Sequence, residues 1–76
     1  MKQAKMILAE MQNKLKSQRT FLIELSNLTN ESATLNERQE EWLWTMMMGF
    51  STKDMPAETY VDKILQYATF LNSCHG

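Results

Sequence analysis

A seven-residue apolar repeat runs through the first third of this chain. Ala4, Leu8, Met11, Leu15, Gln18, Leu22 and Leu25 are spaced alternately four and three residues apart. That spacing keeps one stripe of a helix apolar and forms the seam of a coiled coil. Ile7, Phe21 and Leu28 sit beside the stripe and widen it. No glycine or proline precedes Gly49, so the repeat predicts one amphipathic helix over residues 3–28. At ~1.5 Å per residue that helix would be roughly 40 Å long.

Two shorter helices are expected after it. Residues 27–36 are rich in Asn, Ser and Thr and read as a turn whose side chains compete for backbone groups. Thr34 and Glu37 fit a capping box that opens a helix over 35–48, with Gly49 as a left-handed terminator. Asp54 is the expected N-cap of a third helix over 56–73, where Pro56 is tolerated in the first turn. Ala57, Val61, Ile64, Ala68 and Leu71 share one face of it, broadened by Tyr60, Leu65 and Tyr67.

The fold class is therefore all-α: a small three-helix protein in a single domain, 1–76, led by a long amphipathic helix. A chain of 76 residues buries only a modest core, and one cysteine permits no internal disulfide. The long first helix exceeds what either later helix could cover. Helical oligomerisation is the expected way to complete the core, and a homo-oligomer is the expected state.

Charge is segregated along the chain although the net is −1. Residues 1–20 carry five cations against Glu10, a net of +4, and residues 21–50 carry five glutamates against Arg38, a net of −4. The N-terminus lacks the apolar run of a secretory signal, and nothing approaches the ~20 apolar residues that span a bilayer. Two matches to the glycosylation sequon, at Asn27 and Asn30, carry no weight without a secretory route. Cytoplasmic location, with no membrane partner, is the expectation.

Four features bear on function. Leu35, Trp42, Leu43, Met46 and Met47 make an ordinary core face for the second helix, but Trp44 and Met48 lie well over 90° from its centre. Glu37 and Glu41 continue their stripe toward the N-terminus. Tryptophan and methionine favour interfaces, so Trp44, Met48, Glu37 and Glu41 are the expected contact site for a protein partner. Lys2, Lys5, Lys16 and Arg19 fall within about a third of the circumference of a continuous first helix. Such a row suits phosphate or an acidic partner, although it has no interleaved aromatic. Gln18, polar in the middle of the seam, suits a role in fixing register or oligomer state.

Catalytic residues are absent from this reading. His75, the single histidine, lies next to the C-terminal residue beside Cys74. Adjacent side chains at a chain end are poorly held for nucleophile–base work. No metal-ligand spacing, phosphate loop or nucleophile elbow occurs, so neither metal nor cofactor is expected. The expected function is non-enzymatic: a helical interaction module of the regulator, assembly-chaperone or inhibitor kind, in the style of compact phage proteins. The alternative is an oligomer that binds nucleotide or nucleic acid through the basic stripe of the first helix.

Overall fold

The computed structural model describes residues 1–74; His75, and with it the Cys74–His75 pairing, lies outside the described residues. These form four α-helices and one two-stranded ribbon: β1 Lys2–Gln3, α1 Ala4–Lys14, α2 Arg19–Asn27, β2 Thr34–Leu35, α3 Glu37–Met48 and α4 Ala57–Ser73. The chain is mostly helical, as its periodicity predicts. The expected first helix, however, is two helices rather than one.

The break falls at Leu15, whose φ of −109° and ψ of 67° leave the helical region. A single 3-10 turn, Lys16–Gln18, follows before α2 begins. The chain then doubles back, and α1 and α2 pack together as a hairpin. Its open end is fastened where the Ala4 N–H donates to the Ala33 carbonyl at 2.9 Å. Ala4, Leu8, Met11, Gln18, Leu22 and Leu25 are all buried and Leu15 is half-buried. The seam thus faces itself across the hairpin. Interrupting a helix loses one or two backbone hydrogen bonds, each worth about 1 kcal/mol net. Burying one leucine or methionine side chain returns ~1.5–3 kcal/mol, and the seam buries several. Tertiary burial outweighs helix continuity here, and no glycine or proline is needed to force the turn.

The hairpin removes the length mismatch behind the expectation of a shared core. A radius of gyration of 11.5 Å is what a compact single domain of this length has, about 11 Å by the usual scaling. Phe21 on α2 is the hub of the interior, with ring centroids 4.6 Å from Phe50, 5.5 Å from Tyr60 and 5.9 Å from Tyr67. No buried side-chain nitrogen or oxygen among the described residues lacks a hydrogen-bond partner.

Other local features differ from the sequence expectation for identifiable reasons. Thr34 does not cap α3; it pairs with Gln3, and Leu35 with Lys2, in the antiparallel ribbon. The capping box moves two residues on, where Asn36 Oδ1 accepts from the Gln39 N–H at 2.9 Å and Gln39 Oε1 accepts from the Asn36 N–H at 3.0 Å. Gly49 closes α3 at a φ of −86°, so no left-handed residue is required there. The left-handed residue is instead Asp54, at φ 60°, and it does not cap α4. On α4 the buried face is Ile64, Tyr67, Ala68 and Leu71, while Ala57, Val61 and Leu65 are exposed. Tyr60 and Tyr67 turn edge-on to Phe21 and set the helix's rotation.

Candidate interaction surface

Side chains of β1 and α1 meet side chains of α3 at two places. Met6, Glu10 and Lys14 follow one another at four-residue steps along α1, and Lys2 precedes them in β1. On α3 the residues met are Glu40 and Trp44, with Glu37, Glu41 and Met48 slightly further round the helix. Lys2 Nζ lies 3.3 Å from Glu40 Oε1, and Lys14 Nζ sits 5.6 Å from the centroid of the Trp44 ring. Lys14 is also held by Glu10 at 3.3 Å, one turn back on its own helix. A cation over an indole face is attracted by the ring's negative quadrupole, so Trp44 is pinned between core and charge.

Trp44 and Met48 therefore divide. Trp44 is half-buried against the core, whereas Met48 is 70% exposed. Glu37 and Glu41 are exposed on the same stripe. Met6 is 66% exposed and Met1 74%. Met1, Lys2, Gln3, Met6, Ile7 and Glu10 line an open groove of about 430 Å³ beside α1. Methionines thus stand exposed on both α1 and α3. Met6 was not among the residues the sequence singled out, yet it lies off the seam positions Ala4, Leu8 and Met11. An apolar residue out of register with its own helix was the available signal.

Trp42 and Met46, expected in the core of α3, form its opposite flank. Both are partly exposed, and Trp42 packs tilted against Phe70 of α4 with centroids 4.4 Å apart. Only Leu43 and Met47 of that helix are fully buried.

The basic stripe does not survive the break at Leu15. Lys2 and Lys5 lie at the open end of the hairpin, where Lys2 meets Glu40 and Lys5 meets Glu31 at 3.8 Å. Lys16 and Arg19 lie at the turn and have no ion pair among the described residues. A single row of four cations exists only on an unbroken helix.

Gln18 is buried and spends its amide inside the chain. Its Nε2 donates to the Phe50 carbonyl and, at 3.4 Å, to that of Met47, while its Oε1 accepts from the Ser17 hydroxyl. The last carbonyls of a helix lack intrahelical donors. Gln18 supplies one and fastens the hairpin turn to the end of α3.

Chemically reactive groups are sparse. Cys74 is buried, its thiol donates to the Phe70 carbonyl at 3.2 Å, and burial pushes its pKa up. A thiol held protonated is a poor nucleophile at neutral pH. Tyr60 is pushed up to about 12, first by burial and then by the hydrogen bond to Glu24 and that carboxylate's charge. The Tyr60 hydroxyl donates to Glu24 Oε2 at 2.7 Å. No group of three His, Cys, Asp or Glu side chains among the described residues could hold a metal ion. None of the described helices is long and apolar enough to cross a membrane. Comparison with family models, with curated proteins and with solved structures gives no match.

Proposed function

We propose that this chain is a non-enzymatic helical interaction module that binds a protein partner across the α1–α3 face. The observation that carries the reading is Trp44, half-buried at the edge of the core beneath Lys14, with Met48 exposed one turn further along the same stripe of α3. Unbranched, polarizable methionine side chains adapt to varied apolar surfaces. A central aromatic ring ringed by less critical contacts is the common arrangement of binding hot spots. The Lys2–Glu40 ion pair and the Lys14 ammonium over Trp44 tie this end of the chain to α3, and Met6 and Met48 stay exposed. Regulators, assembly chaperones and inhibitors act through such surfaces without chemistry of their own.

The nucleotide or nucleic-acid alternative is weaker than the sequence suggests, because its four cations sit at opposite ends of the hairpin. The test is a pull-down from the native host with mass-spectrometric identification, repeated with Met6→Lys/Met48→Lys bait. The wild-type bait retains its partner in raised salt, since apolar contacts are little screened, and the variant loses it while melting normally. Equal recovery by both baits, or loss of the partner on adding salt alone, contradicts the reading.

A further inference from the structure

We propose that Met48 is a site of reversible oxidation, where peroxide forms a sulfoxide on the folded chain and switches off the partner contact of α3. The modification stands on exposure and chemistry. Its effect on binding rests on the reading of the Trp44–Met48 stripe as a contact surface.

The three consecutive methionines that end α3 stand in three different environments. Met46 is 39% exposed, Met47 0% and Met48 70%. A thioether is oxidised where an oxidant can reach it, so three neighbours of one residue type divide by side-chain direction alone. Met47, like Met11 on α1, is closed inside the core. Met48 is the last residue of α3, one turn beyond Trp44. The single cysteine is a poor competitor for the oxidant. Cys74 is buried, its thiol donates to the Phe70 carbonyl, and burial favours the protonated form. The thiolate is the form that reacts, so sensitivity to peroxide falls on methionine rather than on cysteine.

In the reaction the Met48 sulfur lone pair attacks one peroxide oxygen. An S–O bond forms as the O–O bond breaks, and the second oxygen leaves as hydroxide. It takes the proton of the first and departs as water. Sulfur is oxidised by two electrons and the peroxide is reduced. A sulfoxide reductase reverses the change, with a dithiol going to disulfide and the oxygen leaving as water. The sulfoxide is polar where the thioether was apolar. At an exposed position that change breaks no internal packing, so the fold is kept. On a stripe that meets an apolar surface it places an unpaired polar oxygen in the contact. Oxidation of Met48 thus separates binding from folding, as oxidation of buried Met11 or Met47 could not.

Titration of the purified, folded chain with hydrogen peroxide, followed by peptide mass mapping and circular dichroism, tests the site. Met48 is expected to gain its oxygen about tenfold faster than Met47 or more, with the melting temperature unchanged. Met1 and Met6 are exposed as well and are oxidised alongside, so binding is assigned with leucine variants, which keep the apolar volume. The oxidised chain is expected to recover about tenfold less of the host protein that the untreated chain retains, and sulfoxide reductase restores it. Met48→Leu retains that protein and is indifferent to peroxide, whereas Met6→Leu responds as the unsubstituted chain does. Equal rates at Met47 and Met48, or oxidation of Met48 only as the chain unfolds, overturns the site. A Met48→Leu chain still switched off by peroxide, or an oxidised chain that keeps its partner, overturns the control of binding. An untreated chain that retains no host protein refutes the reading of the stripe and that control with it. Preferential oxidation of Met48 then still upholds the modification site.

Discussion

The two sides of α1 obey different rules. On one side Ala4, Leu8 and Met11 are fully buried against the rest of the hairpin and core. On the other, Met6, Glu10 and Lys14 stay largely in solvent, and Lys14 reaches over Trp44 of α3. The inner side is governed by area removed from water, at ~25 cal/mol per Å², and tolerates little change. The outer side is held by exposed ion pairs, each worth ~0–1 kcal/mol, and by one tryptophan. Stability resides in the first, and the proposed binding surface lies on the second. Methionine marks the contrast within one residue type, since Met11 and Met47 are core whereas Met6 and Met48 are surface.

Substitutions on the two sides should differ accordingly. Leu22→Ala, in the inner seam, is expected to cost ~2–5 kcal/mol, because it leaves a cavity in a small core. Urea unfolding measures this, and a loss below about 1 kcal/mol would mean that the inner seam is not closed within the chain. Gln18→Leu removes the donor for the Met47 and Phe50 carbonyls. It should cost ~1–3 kcal/mol, as unsatisfied buried groups do, with no change in the mass of the particle in solution. A change in oligomeric state without loss of stability would return Gln18 to a role between chains.

A smaller effect is expected at alkaline pH. The folded chain holds the Tyr60 proton up to about 12, against 10.0 for an unperturbed tyrosine. Because the folded state retains the proton more tightly, the stability is fully present below pH 10 and is lost as pH rises through about 12. Tyr60→Phe should flatten that part of the alkaline unfolding curve. An unchanged curve would show that Tyr60 does not keep its half-buried place and its hydrogen bond to Glu24. Least of all, Met48→Lys should move stability by less than ~0.5 kcal/mol, as exposed substitutions do, while Trp44→Ala costs more because its ring packs on the core. If Met48→Lys destabilises as much as Trp44→Ala, the outer face is core after all.

Much of the interior was legible in the sequence, but not its topology. Seven-residue spacing correctly marks the residues that turn inward. It reads the same whether the partner helix belongs to another chain or to the same chain folded back, and nothing at residues 15–18 has the composition of a breaker. The α3 cap shows a related limit. Thr34 with Glu37 and Asn36 with Gln39 both match a capping pattern, and the choice between them is made by β1, more than thirty residues earlier. The rotation of α4 depends on how Tyr60 and Tyr67 meet Phe21, which no local period encodes. For the candidate surface, the shared stripe of Trp44, Met48, Glu37 and Glu41 followed from helical spacing alone. That Lys14 covers Trp44 depends on how α1 and α3 are placed in the fold.

The hairpin is the claim on which the division between inner seam and outer face depends, and a distance across it is the most direct test. Spin labels at Lys5→Cys and Asn27→Cys, with Cys74→Ala, report the separation of the two helices. Dilution with excess unlabelled protein confines the reading to a single chain. A folded-back hairpin brings the two backbones to about helix-packing distance, 8–10 Å between axes, and so to a label separation well under 25 Å. A separation of roughly 33 Å, the span of 22 residues in one continuous helix, would contradict it.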